Sequence, residues 1–428
     1  MTMNEFLSRK TTLENGIRIL TQTIPHARSV SMGVWVNTGA RDEGEDENGL
    51  SHFIEHMIFK GTLKRTAFQI AKEFDSIGGH TNAFTSMENT CYYAKVISPR
   101  LGTMVEILSD IFLNSVFDEA EVEKERAVIF QEIGMTEDNP EEYVHLLSSR
   151  TRWGDSPLGR SILGSRENVA GFKSGSIKTF FRKSYCPERI IVSAAGDLDH
   201  ETFVDMAGRF FKSIAPTRPP ASSGRVPPES AAKVVFKNRD LDQVHVCLGA
   251  DGLSITDPKR HAFSLLNVIL GGNMSSRLFQ KAREQKGLAY SIYSFVSSYV
   301  DTGMMGVSTA VSPDKALEVA ALILSELEAI AEKGVEESER EDAAEYAKGA
   351  LLLSSESVDN QMVRMAQNEI HFDRHISLDE TIQKIDSVSG EDIAGLARRL
   401  FAFDGISATL LGPVGNIQKK DFETLLRR

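Results

Sequence analysis

Leu50-Ser51-His52-Phe53-Ile54-Glu55-His56-Met57-Ile58-Phe59 is the stretch from which the rest of the chain can be read. Its pattern predicts a helix. Phe53, Ile54, Met57 and Ile58 fall mostly on one side, while His52 and His56, four residues apart, project from the other. Asn48 is placed to cap the start and Gly61 to stop the helix. Two imidazoles one turn apart can bind one zinc ion, and Glu55 between them is placed to hold a water and take its proton. The order His-x-x-Glu-His inverts the commoner zinc-protease order and is itself a catalytic zinc signature. A catalytic zinc commonly takes three protein ligands, so a third must come from elsewhere.

The chain has 428 residues, which predicts two or three domains. With 41% hydrophobic and 25% charged residues it is globular and long enough for a large core. The net charge of -12 argues against a general nucleic-acid binder. Cys91, Cys186 and Cys247 lie far apart, with no Cys-x-x-Cys pattern, so buried reduced thiols are expected. Met1 to Lys10 resembles neither a signal peptide nor a transit peptide, and no run reaches the length of a membrane span. A cytoplasmic protein with no membrane partner is the expectation.

Outward from the His/Glu helix, strands are predicted within Thr11 to Asn37, the second over Ser29 to Val36. A helix over Thr66 to Ile77 is broken by Gly78-Gly79, and a strand or strand pair follows over His80 to Val96. Pro99 to Leu113 reads as helical. Asp118 is a good N-cap for a helix running to about Met135. Glu125 and Glu132 share a face of that helix, and the apolar neighbours of Glu132 predict its partial burial. Ile190 to Gly196 reads as a buried strand and His200 to Phe211 as a helix.

Five of the 13 prolines then fall within 216–228, which marks a stiff linker. Beyond it the pattern repeats. Ser98-Pro99 recurs as Ser312-Pro313, Ser174-Gly175 as Ser389-Gly390, and the strand Ile190–Gly196 as Ile406–Gly412, at offsets of 214, 215 and 216. The expected organisation is a duplicated domain, with boundaries at 1–215, 216–232 and 233–428. The expected fold class is α+β, two homologous sandwiches of a mainly antiparallel sheet covered by helices. The second copy has Leu-Asn-Val-Ile-Leu-Gly over Leu266 to Gly271 and Ala347 at the position 215 beyond Glu132, so it has no zinc set. Its Gly271-Gly272 lacks the Walker and dinucleotide patterns and predicts a loop beside a helix.

His52-x-x-Glu55-His56 with Glu132 after 75 intervening residues resembles the pitrilysin or insulin-degrading enzyme family of inverted zinc peptidases. Gly78-Gly79-His80-Thr81-Asn82-Ala83-Phe84-Thr85 and the Arg283 to Tyr293 stretch are its second and third landmarks. The likeness covers nearly the whole chain and is greatest to the short-chain branch, which includes bacterial processing proteases and the β subunit of the mitochondrial processing peptidase. It implies zinc, one per chain, on His52, His56 and Glu132, with Glu55 as general base and Glu125 as a supporting carboxylate. It implies that Arg283 and Tyr290 hold the substrate carbonyl and its oxyanion. Asn82 to Thr85 would form an edge strand to which a peptide adds, with Asn82, Ala83 and Phe84 meeting the substrate. A half-length chain implies a partner subunit, most simply a second copy; a heterodimer with a non-catalytic homologue is the alternative.

One departure stands out. Of two acidic residues with which processing peptidases read an Arg near the cut, Glu142 matches one and Leu146 replaces the other. The leading reading is therefore a zinc endopeptidase of short or unfolded peptides, without an expected Arg preference. The rival is a non-catalytic assembly subunit of the same fold, against which the complete His/Glu/His/Glu set speaks.

Overall fold

The computed structural model describes residues 7–215, 225–401 and 405–427. Of the segment read as a linker, 216–224 lie outside the described residues, and 225–232 carry no regular secondary structure. The chain divides into two compact units, Met1–Gly134 with Ser161–Gly224 and Leu353–Ile376, and Met135–Arg160 with Arg225–Leu352 and Ser377–Arg428. The contiguous halves expected at 1–215 and 233–428 are thus each interrupted. A piece of the first half packs into the second unit, and a piece of the second half packs into the first.

The first half runs β1 (Leu7–Thr12), β2 (Arg18–Thr23), β3 (Ser29–Val36), α1 (Leu50–Met57), α2 (Ala67–Ser76), β4 (His80–Thr85) and β5 (Thr90–Ile97). It continues with α3 (Leu101–Asn114), α4 (Glu119–Asp138), α5 (Pro140–Trp153), α6 (Arg166–Gly171), α7 (Ser174–Ser184), β6 (Ile190–Gly196) and α8 (His200–Phe211). The second half runs β7 (Val234–Asn238), β8 (Val244–Asp251), α9 (Arg260–Asn267), β9 (Ile292–Ser298), β10 (Gly303–Val311), α10 (Ala316–Lys333) and α11 (Glu337–Ser354). Then follow α12 (Val358–Phe372), α13 (Leu378–Asp386), α14 (Gly390–Leu400), β11 (Ser407–Gly412) and α15 (Lys419–Leu425).

The first sheet has the order β1-β2-β6-β3-β5-β4, the second β7-β11-β8-β10-β9. Pairing is antiparallel except at β2–β6 and β7–β11. The expected α+β class, with mainly antiparallel sheets covered by helices, is what the fold has. Strand β1, which pairs with β2, was not foreseen.

Both faces of β3 are covered, which is why it reads as a continuous apolar run. Val30, Met32, Val34 and Val36 join the core with α1, α3, α7 and α8. On the other face Trp35 packs with Met362 and Met365 of α12, and its Nε1 donates to Ser193 Oγ at 3.0 Å. Gly33 lets α12 approach, since a Cβ there would meet Met362 Sδ at 2.7 Å. In the second unit α5 takes the matching place. Its Val144 packs with Cys247 of β8 and Leu411 of β11, and a Cβ on Gly249 would lie 3.7 Å from Ser148 Oγ.

The predicted burial of Phe53, Ile54, Met57 and Ile58 holds. The expected caps do not. The N-cap residue of α1 is Gly49, and the helix ends at Met57, before Gly61. The three cysteines are buried free thiols, as expected. The Gly271-Gly272 stretch ends a π-helical turn, Val268–Gly272, rather than opening a loop. Among the described residues no helix is long and apolar enough to cross a membrane.

Candidate metal centre

The site is built on α1 and α4 of the first unit. Since one side of α1 is sunk in the core, His52, Glu55 and His56 emerge on the other. The start of α1 is held by Glu43, not Asn48. The buried Glu43 carboxylate accepts from Ser51 N at 2.6 Å, Gly49 N at 2.7 Å and Asn48 Nδ2 at 3.2 Å. This satisfies first-turn amides that would otherwise be orphaned. Burial nonetheless pushes the Glu43 carboxyl up to about 7, against the pull of those hydrogen bonds.

Helix α4 begins as expected at Asp118, whose Oδ1 accepts from Ala120 N at 2.9 Å and Glu121 N at 3.3 Å. Arg126 ties it down through the carbonyls of Val169 and Phe172. Its register then presents Glu125 and Glu132 to α1. Glu132 Oε2 lies 3.5 Å from His52 Nε2 and 3.4 Å from His56 Nε2. Three donors each about 2.0–2.2 Å from one tetrahedral zinc sit roughly 3.3–3.6 Å apart, so the spacing fits the ion. Among the described residues His52, His56 and Glu132 form a convergent set that could hold a metal ion.

The surroundings fix the donor atoms. Glu125 Oε2 lies 3.1 Å from His56 Nδ1. A carboxylate only accepts, so Nδ1 carries the proton and Nε2 keeps its lone pair for a metal. Lys60 Nζ lies 2.6 Å from Glu125 Oε1. The carboxylates of Glu55, Glu125 and Glu132 gather around the two imidazoles and the Lys60 ammonium, a setting that would favour a bound cation.

The titration behaviour follows. Burial, then the charge of His56, pulls His52 down to about 3, so its imidazole is neutral near pH 7. Burial also lowers His56, but the hydrogen bond to Glu125 and the charges of Glu132, Glu125 and Glu55 outweigh it and raise the net value. Burial raises Glu125, and His56 and Lys60 more than reverse that. Glu55 is raised by burial, a rise that Thr85 and His56 moderate. Thr85 Oγ1 donates to Glu55 Oε2 at 2.6 Å.

The structure thus brings together His52, Glu55, His56, Glu125 and Glu132. Glu43 and Lys60 are partners that the sequence did not single out, and Thr85, expected only as part of an edge strand, is a third. Asn82, Ala83 and Phe84 lie on β4, an edge of the first sheet. Alternation turns Ala83 toward the core that includes α1. It turns Phe84 to the other face, against Trp35 with ring centroids 5.5 Å apart. The Phe84 side chain therefore anchors the strand. Asn82 Oδ1 accepts from Ala83 N at 2.8 Å.

Arg283, Tyr290 and Glu142 belong to the second unit. Arg283 Cζ lies 4.9 Å from the centre of the Tyr290 ring, a cation–π pair, and Tyr290 is 81% exposed. Glu142 is exposed on α5 and Leu146 half-buried.

Residues 18–166 match the family model described as Insulinase (Peptidase family M16), and residues 172–346 match the Peptidase M16 inactive domain. An uncharacterized zinc protease of Bacillus subtilis, YmxG, is 40% identical over 409 residues, spanning 96% of this chain and 99% of the relative. The chain belongs to peptidase family M16. Another relative, an uncharacterized zinc protease of Streptomyces coelicolor, is 38% identical over 96% of this chain and 90% of its own length. A protease from Helicobacter pylori has the same fold, with a TM-score of 0.90 at 21% identity, covering 95% of this chain and all of that one. A structure described as a peptidase M16 inactive domain from Pseudomonas fluorescens matches with a TM-score of 0.88 at 16% identity, over 96% and 98% of the two chains. The relatives' names support a metalloprotease.

Proposed function

We propose that this M16 protein is a zinc-dependent endopeptidase of short or unfolded peptides, with one zinc per chain on His52, His56 and Glu132. The observation that carries the reading is the convergence of three donor atoms, with Glu132 Oε2 at the separation from each His Nε2 that one tetrahedral ion requires, and Glu55 beside them on α1. Zinc bound there supplies Lewis-acid chemistry, polarising a carbonyl and making water nucleophilic near neutral pH. Glu55 accepts the proton as water attacks and delivers it to the leaving amine. Glu125 holds His56 in the required tautomer.

By family resemblance, Arg283 and Tyr290 meet the negative charge growing on the scissile carbonyl oxygen. Each half-length chain carries both the His/Glu set and the Arg/Tyr pair. A homodimer with two active sites is thus the simplest assembly. The edge of β4 offers main-chain hydrogen bonds to an extended peptide, which favours unfolded substrates with little sequence demand. The pairing of Glu142 with Leu146, where two acids would read Arg, gives no basis for an Arg preference near the cut.

The test is incubation with a quenched-peptide library and with folded proteins, before and after chelation. Chelator-sensitive cleavage of the peptides, with the folded proteins left intact, is expected. Cleavage that survives chelation, or peptides left intact by a zinc-loaded homodimer, would overturn the proposal.

A further inference from the structure

Building on the endopeptidase reading, we infer that Thr85 is a positioning residue for the general base: its hydroxyl pins one oxygen of Glu55 and leaves the other free for the attacking water. Thr85 Oγ1 lies 2.6 Å from Glu55 Oε2. This is a short contact of the kind an ionised acceptor makes. Among the described residues no other side chain hydrogen-bonds Glu55; the backbone amide of Thr85 also donates to its carboxyl.

Three rotatable bonds carry the Glu55 carboxylate. Without a fixed partner it samples orientations in which neither oxygen faces the reacting centre, and a small misplacement of a reacting group is costly in rate. A hydroxyl held on a strand removes that freedom before substrate arrives.

The place of Thr85 in the fold gives the contact a second consequence. It is the last residue of β4, paired with Thr90 of β5. On a two-residue alternation it shares a face with Ala83, which packs on the core holding α1. The strand whose edge would receive the peptide is therefore the strand that orients the base. Main-chain pairing of a peptide along β4 and the aim of Glu55 are coupled through one residue, without a moving part. A hydroxyl is suited to this task because it is neutral. A lysine at the same point would lower the basicity of Glu55, and an amide would compete for the water.

The experiment compares Thr85→Val, which keeps the β-branch and shape, with Thr85→Ser, which keeps the hydroxyl. Both are read by steady-state peptide cleavage and by zinc content. Thr85→Val is expected to lower kcat by about 10–100-fold, the cost typical of losing an outer partner of a catalytic group. KM should change less than threefold and zinc content not at all, and Thr85→Ser should stay within about threefold of the parent. Three results would overturn the inference: kcat within twofold of the parent in Thr85→Val, an equal loss in Thr85→Ser, or a loss confined to KM.

A second measurement is independent of turnover. In a thermal-unfolding cycle of the full chain, Thr85→Val should lower the midpoint by about 2–4 °C. The shift should vanish in a Glu55→Ala background; the same shift in both backgrounds would remove the coupling. A parent protein that cleaves nothing would sink the endopeptidase reading but leave the cycle to decide the contact.

Discussion

In the first unit α1 turns His52 and His56, four residues apart, toward Glu132. In the second unit the helix at the same point in the element order, α9, carries Ala262 and Leu266 at that spacing, and both are buried in an apolar core. Where α4 supplies Glu132, α11 supplies buried Ala343 and Ala344, with Ala347 packed against the same core. The two sheets share their strand order once β1 is set aside. What differs is which groups the fold accepts beneath one helix. In one unit these are buried and half-buried imidazoles and carboxylates that could share a cation; in the other they are methyl and isobutyl groups that need nothing. The same architecture can thus be tuned for chemistry or for stability.

The sharpest way to break the comparison is to disarm the first unit without emptying it. Glu55→Gln should lower peptide cleavage by about 10²–10⁴-fold, the range general acid–base catalysis supplies, while zinc content stays at the parental level. Near-parental turnover in that variant would remove Glu55 from the mechanism.

A second contrast concerns stability. Leu266→His places an unpartnered imidazole in the second core and should cost about 2–5 kcal/mol of unfolding free energy. Glu132→Ala should lose zinc yet change the stability of the metal-free protein by only about 0.5 kcal/mol, since the residue is half-exposed. Denaturant titrations in chelator measure both, and equal losses would contradict the division of labour. A smaller effect is expected at Glu125. Replacing it by Ala frees His56 Nδ1 and should weaken zinc binding by about 10–100-fold in a chelator competition.

The smallest effect is a pH slope. The Glu43 carboxyl is pushed up to about 7 in the folded protein from the ordinary 4.5 of a glutamate. The folded state therefore holds that proton more tightly. Its stabilising contribution is complete below the unfolded value and is lost as pH rises through the folded one. Stability should fall between about pH 5 and pH 7 in the parent and fall less in Glu43→Gln. Parallel profiles would show that Glu43 does not titrate in this window.

Much of this was legible in the sequence, because the informative patterns were local. Four-residue spacing placed His52 and His56 on one face of α1, Asp118 marked the start of α4, and the buried strand Ile190–Gly196 has the bounds its composition suggests. Three landmarks at nearly constant offsets pointed to two similar sandwiches, and the two sheets do share a strand order once β1 is set aside.

The rest depended on packing between residues far apart in the chain. No periodicity in α5 or α12 says which sheet each will cover, so their exchange between halves could not be read. The partners of the site show the same limit. Thr85 lies 30 residues from Glu55, and Glu125 lies 69 from His56. Asn48, the local cap candidate, was displaced by Glu43, whose buried carboxylate satisfies two backbone amides at once.

The most direct test of the central claim is the zinc stoichiometry of the purified full chain, taken with peptide cleavage as the metal is stripped and returned. The account predicts one tightly bound zinc per chain, lost in His56→Ala, with cleavage that disappears on chelation and returns as one equivalent is added. No bound zinc, two per chain, or cleavage indifferent to the metal would contradict it.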